Sequence, residues 1–217
     1  MEKLKMAAKT VKTFVFIVVF LSKISGEKPL NCRLADSLPK LSEVSLQKRD
    51  GMRLSEIARE QLQELAAVIA QLSEADFTTA LPLLDQATLG KHVRHTLEFH
   101  QCFLTREQSF CYDDRMRNPL LEQAPEEALK HIDWLMDRLR FVQLDRIISM
   151  EVRYGTARFE VTTSVQRELA FLIEHTVHHN AILRMALCAS FPHIRFEPEF
   201  GYADSTIRFL EQSKTAI

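Results

Sequence analysis

The sequence predicts an all-α protein, an up-and-down four-helix bundle with a long crossover and a short β-hairpin before the last bundle helix. Three observations carry this expectation. Apolar residues recur at threes and fours in four separate segments from Met52 onward, the spacing that gives a helix one apolar face. The 217 residues include only five glycines and seven prolines, too few for the turn density of an all-β fold. One stretch, residues 144–164, changes from the helical period to a period of two, the mark of extended strands.

The first helix is marked by Leu54, Ile57, Ala58, Leu62, Leu65, Ala66, Ile69 and Leu72. Residues 76–86 break it, with Pro82 inside the break. The second helix opens on Thr88, a good N-cap, and runs toward Leu104 with Leu89, Val93, Thr96, Phe99 and Phe103 in its apolar stripe. A polar connection over residues 112–119 leads to a third helix marked by Ala128, Leu129, Ile132, Leu135, Met136, Leu139 and Val142. Glu126 and Glu127 near its start suit the helix dipole. The alternating stretch then reads as a hairpin turning near Gly155. The fourth helix starts at Ser164, a second N-cap candidate, and continues to about Ala189, with Pro192 ending it. An aromatic segment, residues 195–204, reads as a strap packed on the helices.

The N-terminal region is of another kind. Residues 1–26 hold Lys3, Lys5, Lys9 and Lys12 ahead of an unbroken apolar run from Phe14 to Leu21. This is the layout of a secretory signal peptide, and it competes with an upstream extension foreign to the folded domain. The run is shorter than the about 20 apolar residues that span a bilayer, so no stable membrane span is expected. Residues 27–51 lack periodicity and read as a linker, leaving 52–217 as the helical domain. A cytoplasmic location is expected, and a secreted one if residues 1–26 are a true signal.

Composition excludes some function classes. The net charge is −1 and no basic stretch is interleaved with aromatics, so nucleic acid is not an expected partner. Cys32, Cys102, Cys111 and Cys188 form no CxxC pair and no zinc-finger spacing. They read as plain thiols.

The chemistry concentrates in Glu174-His175-Thr176-Val177-His178-His179-Asn180. Residues four apart on a helix share a face, so His175 and His179 lie together. They fall within an arc of roughly 120° with Phe171, Leu172, Ile182, Leu183 and Ala186. His178 falls at the edge of that arc. Two titratable rings in an apolar stripe are costly unless something binds them, and a metal ion is the expected occupant. A third donor has to come from another helix. The second helix offers His92, His95 and His100; helical geometry favours His92 and His100 as inward-facing and puts His95 just past the edge. His131 on the third helix reads as a surface or boundary residue. The HxxxH spacing lacks the Glu of the zincin proteases, no helix carries the ExxH pair of di-iron bundles, and no phosphate loop or GxSxG elbow occurs.

From Met52 onward the chain resembles the DinB-like (DinB/YfiT) metal-binding superfamily. The resemblance is carried by Thr88-Leu89-Gly90-Lys91-His92-Val93-Arg94-His95 and by His175-Thr176-Val177-His178-His179. It implies a three-histidine site in which one His of the second helix joins two His four apart on the last bundle helix. Matching the Thr-Leu-Gly helix start puts the first ligand on His95, with His92 in reserve, so the implied metal ligands are His95, His175 and His179. The implied ion is divalent: zinc, nickel or iron. The implied activity is that of a metal-dependent transferase or hydrolase, thiol-dependent in some relatives, acting on a small-molecule or thiol substrate. A homodimer is the expected assembly. The competing expectation is a non-catalytic bundle with a structural metal or core histidines. Glu168 is a candidate acceptor for an imidazole N–H, and Tyr112, Arg115 and Arg117 are candidates for a rim that recognises an anion or a thiol.

Overall fold

A computed structural model describes residues 53–106 and 109–215. The expected signal segment 1–26 and linker 27–51 lie outside the described residues. Every element below belongs to the compact unit Pro39–Ile217.

The elements in chain order are α1 (Leu54–Ile69), α2 (Glu74–Thr78), a 3-10 turn at Pro82–Leu84, α3 (Leu89–Leu104), β1 (Ser109–Phe110), a 3-10 turn at Tyr112–Asp114, α4 (Leu120–Gln123), α5 (Pro125–Arg140), β2 (Ile147–Tyr154), β3 (Ala157–Ser164), α6 (Val165–Ser190) and α7 (Asp204–Thr215). The expectation of an all-α four-helix bundle is therefore corrected. The described residues hold seven α-helices and a three-stranded mixed sheet in the order β1-β2-β3. β2 and β3 pair antiparallel over eight residues each, and β1 joins β2 in parallel through Ser109↔Ser149 and Phe110↔Met150. A two-residue strand carries no periodicity, so nothing in the sequence announces β1. The short helices α2 and α4 are hidden for the same reason: one turn is too brief to show a 3.6-residue repeat.

The four long helices still determine where the histidines meet. α1 packs on α5 and α6, and α3 packs on the same two, so α1 and α3 stand at opposite corners and α3 is a direct neighbour of α6. Both helices that carry candidate ligands start at side-chain caps. Thr88 Oγ1 accepts from the Lys91 N–H at 3.0 Å, and Ser164 Oγ from the Arg167 N–H at 3.2 Å. Gly90 lets α3 begin hard against α4, since a Cβ there would run into the Glu122 carbonyl oxygen. Leu62, Leu65, Leu97, Ile132, Leu135, Leu139, Leu169 and Leu172 are fully buried between the helices, and burial of such side chains is the main favourable term.

The strap after α6 is fastened to that helix beside the histidines. Phe200 is fully buried. Arg184 Nη1 donates to the carbonyls of Pro198 and Phe200 at 2.9 and 3.0 Å, and its guanidinium lies over Phe196 and Tyr202. Gly201 has φ of 77°, and a Cβ on it would stand 2.6 Å from the Ala181 nitrogen. Only glycine allows that approach. Among the described residues no helix is long and apolar enough to cross a membrane. Cys102 and Cys111 are buried free thiols, and Cys188 is partly exposed; Cys32 lies outside the described residues.

Candidate metal centre

α3 and α6 bring three imidazoles to one place. One ring nitrogen from each of His95, His175 and His179 lies within 4.8 Å of the other two. The closest pair is His175 Nε2 and His179 Nε2, at 3.1 Å. Two nitrogens that share a zinc ion at about 2.0–2.1 Å stand about 3.3 Å apart at the tetrahedral angle. The observed separation is within a few tenths of an ångström of that, so the donor set fits a divalent ion. His179 is buried, while His95 and His175 keep partial exposure.

The surroundings hold the rings neutral, which is the state that ligates a metal. Burial, reinforced by the neighbouring imidazoles, lowers His95 to about 4, His175 to about 4 and His179 to about 2. An aromatic wall supplies much of that burial. Phe171 stacks on His175 with 8° between the planes, and the Phe99 ring centre is 4.4 Å from that of His175. Arg115 also depresses His95 and His175; its Nη2 lies 3.5 Å from His95 Nδ1, and its guanidinium covers Phe99.

The remaining histidines separate by position. His92, which helical geometry favours, stands outside the three-histidine group; its Nδ1 lies 3.3 Å from His179 Nδ1, on the far side of the His179 ring from His175. His178 is exposed, outside the group as its place at the arc's edge suggests. His100 is buried a turn further along α3, with Nε2 2.9 Å from Thr176 Oγ1. The Thr176 hydroxyl donates to the Leu172 carbonyl at 2.8 Å, so it accepts from His100 Nε2–H, and His100 Nδ1 is left buried without a partner. Burial lowers His100 to about 3. His131 is partly buried and stacks on Trp134.

Two of the suggested helpers serve the scaffold instead. The Glu168 carboxylate is fully buried and is taken by Tyr112 Oη at 3.0 Å, Thr163 Oγ1 at 2.7 Å and Arg167 Nη1 at 3.3 Å; none of its partners is an imidazole. Tyr112 is stacked on Phe99 and edge-on to Phe110, with its phenol held far above the usual range by burial and by Glu168. Sequence spacing gave no hint of this pair, because its members are 56 residues apart. Of the proposed rim, Arg115 alone makes direct contact with a cluster histidine. It is also 3.6 Å from the buried Glu98, which accepts from the Asn118 N–H.

A second convergence, of Cys111, Asp114 and Glu151, lies by the sheet. Arg153 already fills it, donating to both Asp114 carboxylate oxygens at 2.6 Å and to Glu151. A guanidinium bound in this bidentate way excludes a cation, so the histidine cluster is the better metal candidate. The chain matches no protein-family model, no curated protein and no solved structure.

Proposed function

We propose that the chain is a DinB-like metal protein in which His95, His175 and His179 hold a divalent ion, zinc, nickel or iron, for a metal-dependent transferase or hydrolase reaction. The convergence of three neutral imidazoles from two packed helices is the observation that carries the reading. Three protein ligands leave a position for water or substrate, and the partial exposure of His95 and His175 supports solvent access to an ion held there. An ion held there would supply Lewis acidity, polarising a substrate atom or acidifying a bound water. The chain's own groups divide the rest of the work. Phe99 and Phe171 exclude water from one side of His175, and Arg115 places a positive charge beside His95, suited to an anionic substrate group or a thiolate.

The test is a thiol titration of the cobalt-substituted protein. Entry of a small thiol at the open position should give a sulfur-to-cobalt charge-transfer band and shift the d–d bands. An unchanged spectrum at saturating thiol and azide would assign the ion a closed, structural role.

A further inference from the structure

Among the described residues the sheet ends in an unpaired edge. β2 has β1 on its outer side, but among the described residues nothing pairs with the outer side of β3. Residues 157–162 are all exposed. Natural edge strands are usually blunted by charged side chains, lysine above all, by proline, a bulge or brevity, and of these β3 has only Arg158 and Glu160. β3 is eight residues long, has neither Pro nor Lys, and its eight-pair register with β2 is unbroken. Its side chains divide cleanly, Phe159 and Val161 on one face and Arg158 and Glu160 on the other.

The charges opposed directly across the hairpin are alike. Across the hairpin Arg153 faces Arg158 and Glu151 faces Glu160, like on like, which destabilises directly opposed pairs. Arg153 is offset by Asp114 and Glu151, and Glu160 accepts from Ser149 Oγ at 2.8 Å. Arg158 reaches Glu151 only diagonally, at 3.4 Å and exposed, a contact that contributes little. On the outer edge the same two charges can be complementary. In a two-fold antiparallel pairing, facing residues share a sheet face, so some residue must oppose its own copy. Centring on Arg158 or on Glu160 opposes like charges. Centring on Phe159 sets Arg158 against the partner's Glu160 at both ends of the contact and pairs the two phenylalanines, an aromatic pair that adds to the stability of a sheet.

We infer that β3 is a dimerisation edge, on which a second copy of this chain adds antiparallel with Phe159 at the two-fold axis. The pairing joins two three-stranded sheets through main-chain hydrogen bonds, the β-augmentation mode. It is independent of the metal site.

Sedimentation velocity of the full chain, over micromolar to submillimolar concentrations, tests this with E160R, R158E and the double exchange. Each single change relieves a like-charge pair inside its own hairpin but also removes a contact there, Ser149 Oγ to Glu160 or Arg158 to Glu151. The double exchange lacks both contacts, so its recovery separates a restored interface from a damaged hairpin. The wild type should show a monomer–dimer equilibrium. Each single change should raise its dissociation constant by at least about tenfold, since two opposite-charge contacts become like-charge ones, and the double exchange should restore it. A wild type that is monomeric throughout, single variants that dimerise as the wild type does, or a double exchange that fails to recover would each overturn the proposal.

Discussion

The Nδ1 of His92 lies 3.3 Å from the Nδ1 of His179, while the Nε2 of His179 faces His175 at 3.1 Å. Between two neutral imidazoles one nitrogen donates and the other accepts. With His179 Nδ1–H donating to His92, the Nε2 lone pair of His179 is free for an ion. A metal on His179 Nε2 requires its proton on Nδ1, where His92 is placed to accept it, as the partners of ligand histidines commonly do.

Replacing His92 by Phe should weaken zinc binding by about 10–100-fold, with His92→Gln recovering part of the loss through its amide oxygen. Competition against a chromophoric chelator measures both. Equal affinities for the wild type and His92→Phe would remove His92 from the site.

Tyr112→Phe separates scaffold from site. It deletes one of the contacts to the buried Glu168, and leaving a buried acceptor short of a donor costs about 1–3 kcal/mol. Urea unfolding should show that loss, with zinc affinity unchanged. A fall in zinc affinity without loss of stability would place Tyr112 at the metal.

Acid should destabilise the metal-free protein. His100 titrates at about 3 in the fold because burial disfavours its charged form, and an unfolded histidine titrates near about 6.5. As pH falls below about 6.5 the unfolded chain takes up the proton first, so stability is complete above that value and declines toward about 3. The decline per histidine is at most about 1.4 kcal/mol per pH unit. His95, His175 and His179 act in the same direction. Urea midpoints between pH 8 and 5 check this; a flat profile would contradict neutral burial of these rings.

Gly201→Ala tests the strap. The residue combines a φ of 77° with a Cβ position 2.6 Å from the Ala181 nitrogen, so the side chain brings both backbone strain and overlap. A loss of about 1–3 kcal/mol is expected, read as a drop of several degrees in Tm. An unchanged Tm would mean that the strap yields without cost.

The long helices were legible because each keeps an apolar stripe for four turns or more, and their starts because Thr88 and Ser164 are capping residues whose hydroxyls do cap. The pairing of His175 with His179 was legible because four residues on a helix fix a common face. The rotation of α3 was not. The stripe drawn through Leu89, Val93 and Thr96 brings His92 and His100 inward. His100 is buried as expected, but the charged Glu98 is buried too, and His95 joins the cluster in place of His92. Glu98 and His100 are accepted because Asn118, Arg115 and Thr176 come to meet them from distant segments. The sheet was half legible: alternation marks β2 and β3, whereas β1 forms only because the segment after α3 runs beside β2.

Metal content is the most direct measurement. The protein should be purified from metal-supplemented medium, dialysed against a weak chelator and analysed beside His95→Ala, His175→Ala, His179→Ala and His178→Ala. Stoichiometric ion in the wild type and His178→Ala, with loss in the other three, is the expected result. Equal metal content in all five, or none in the folded wild type, would contradict a three-histidine metal centre.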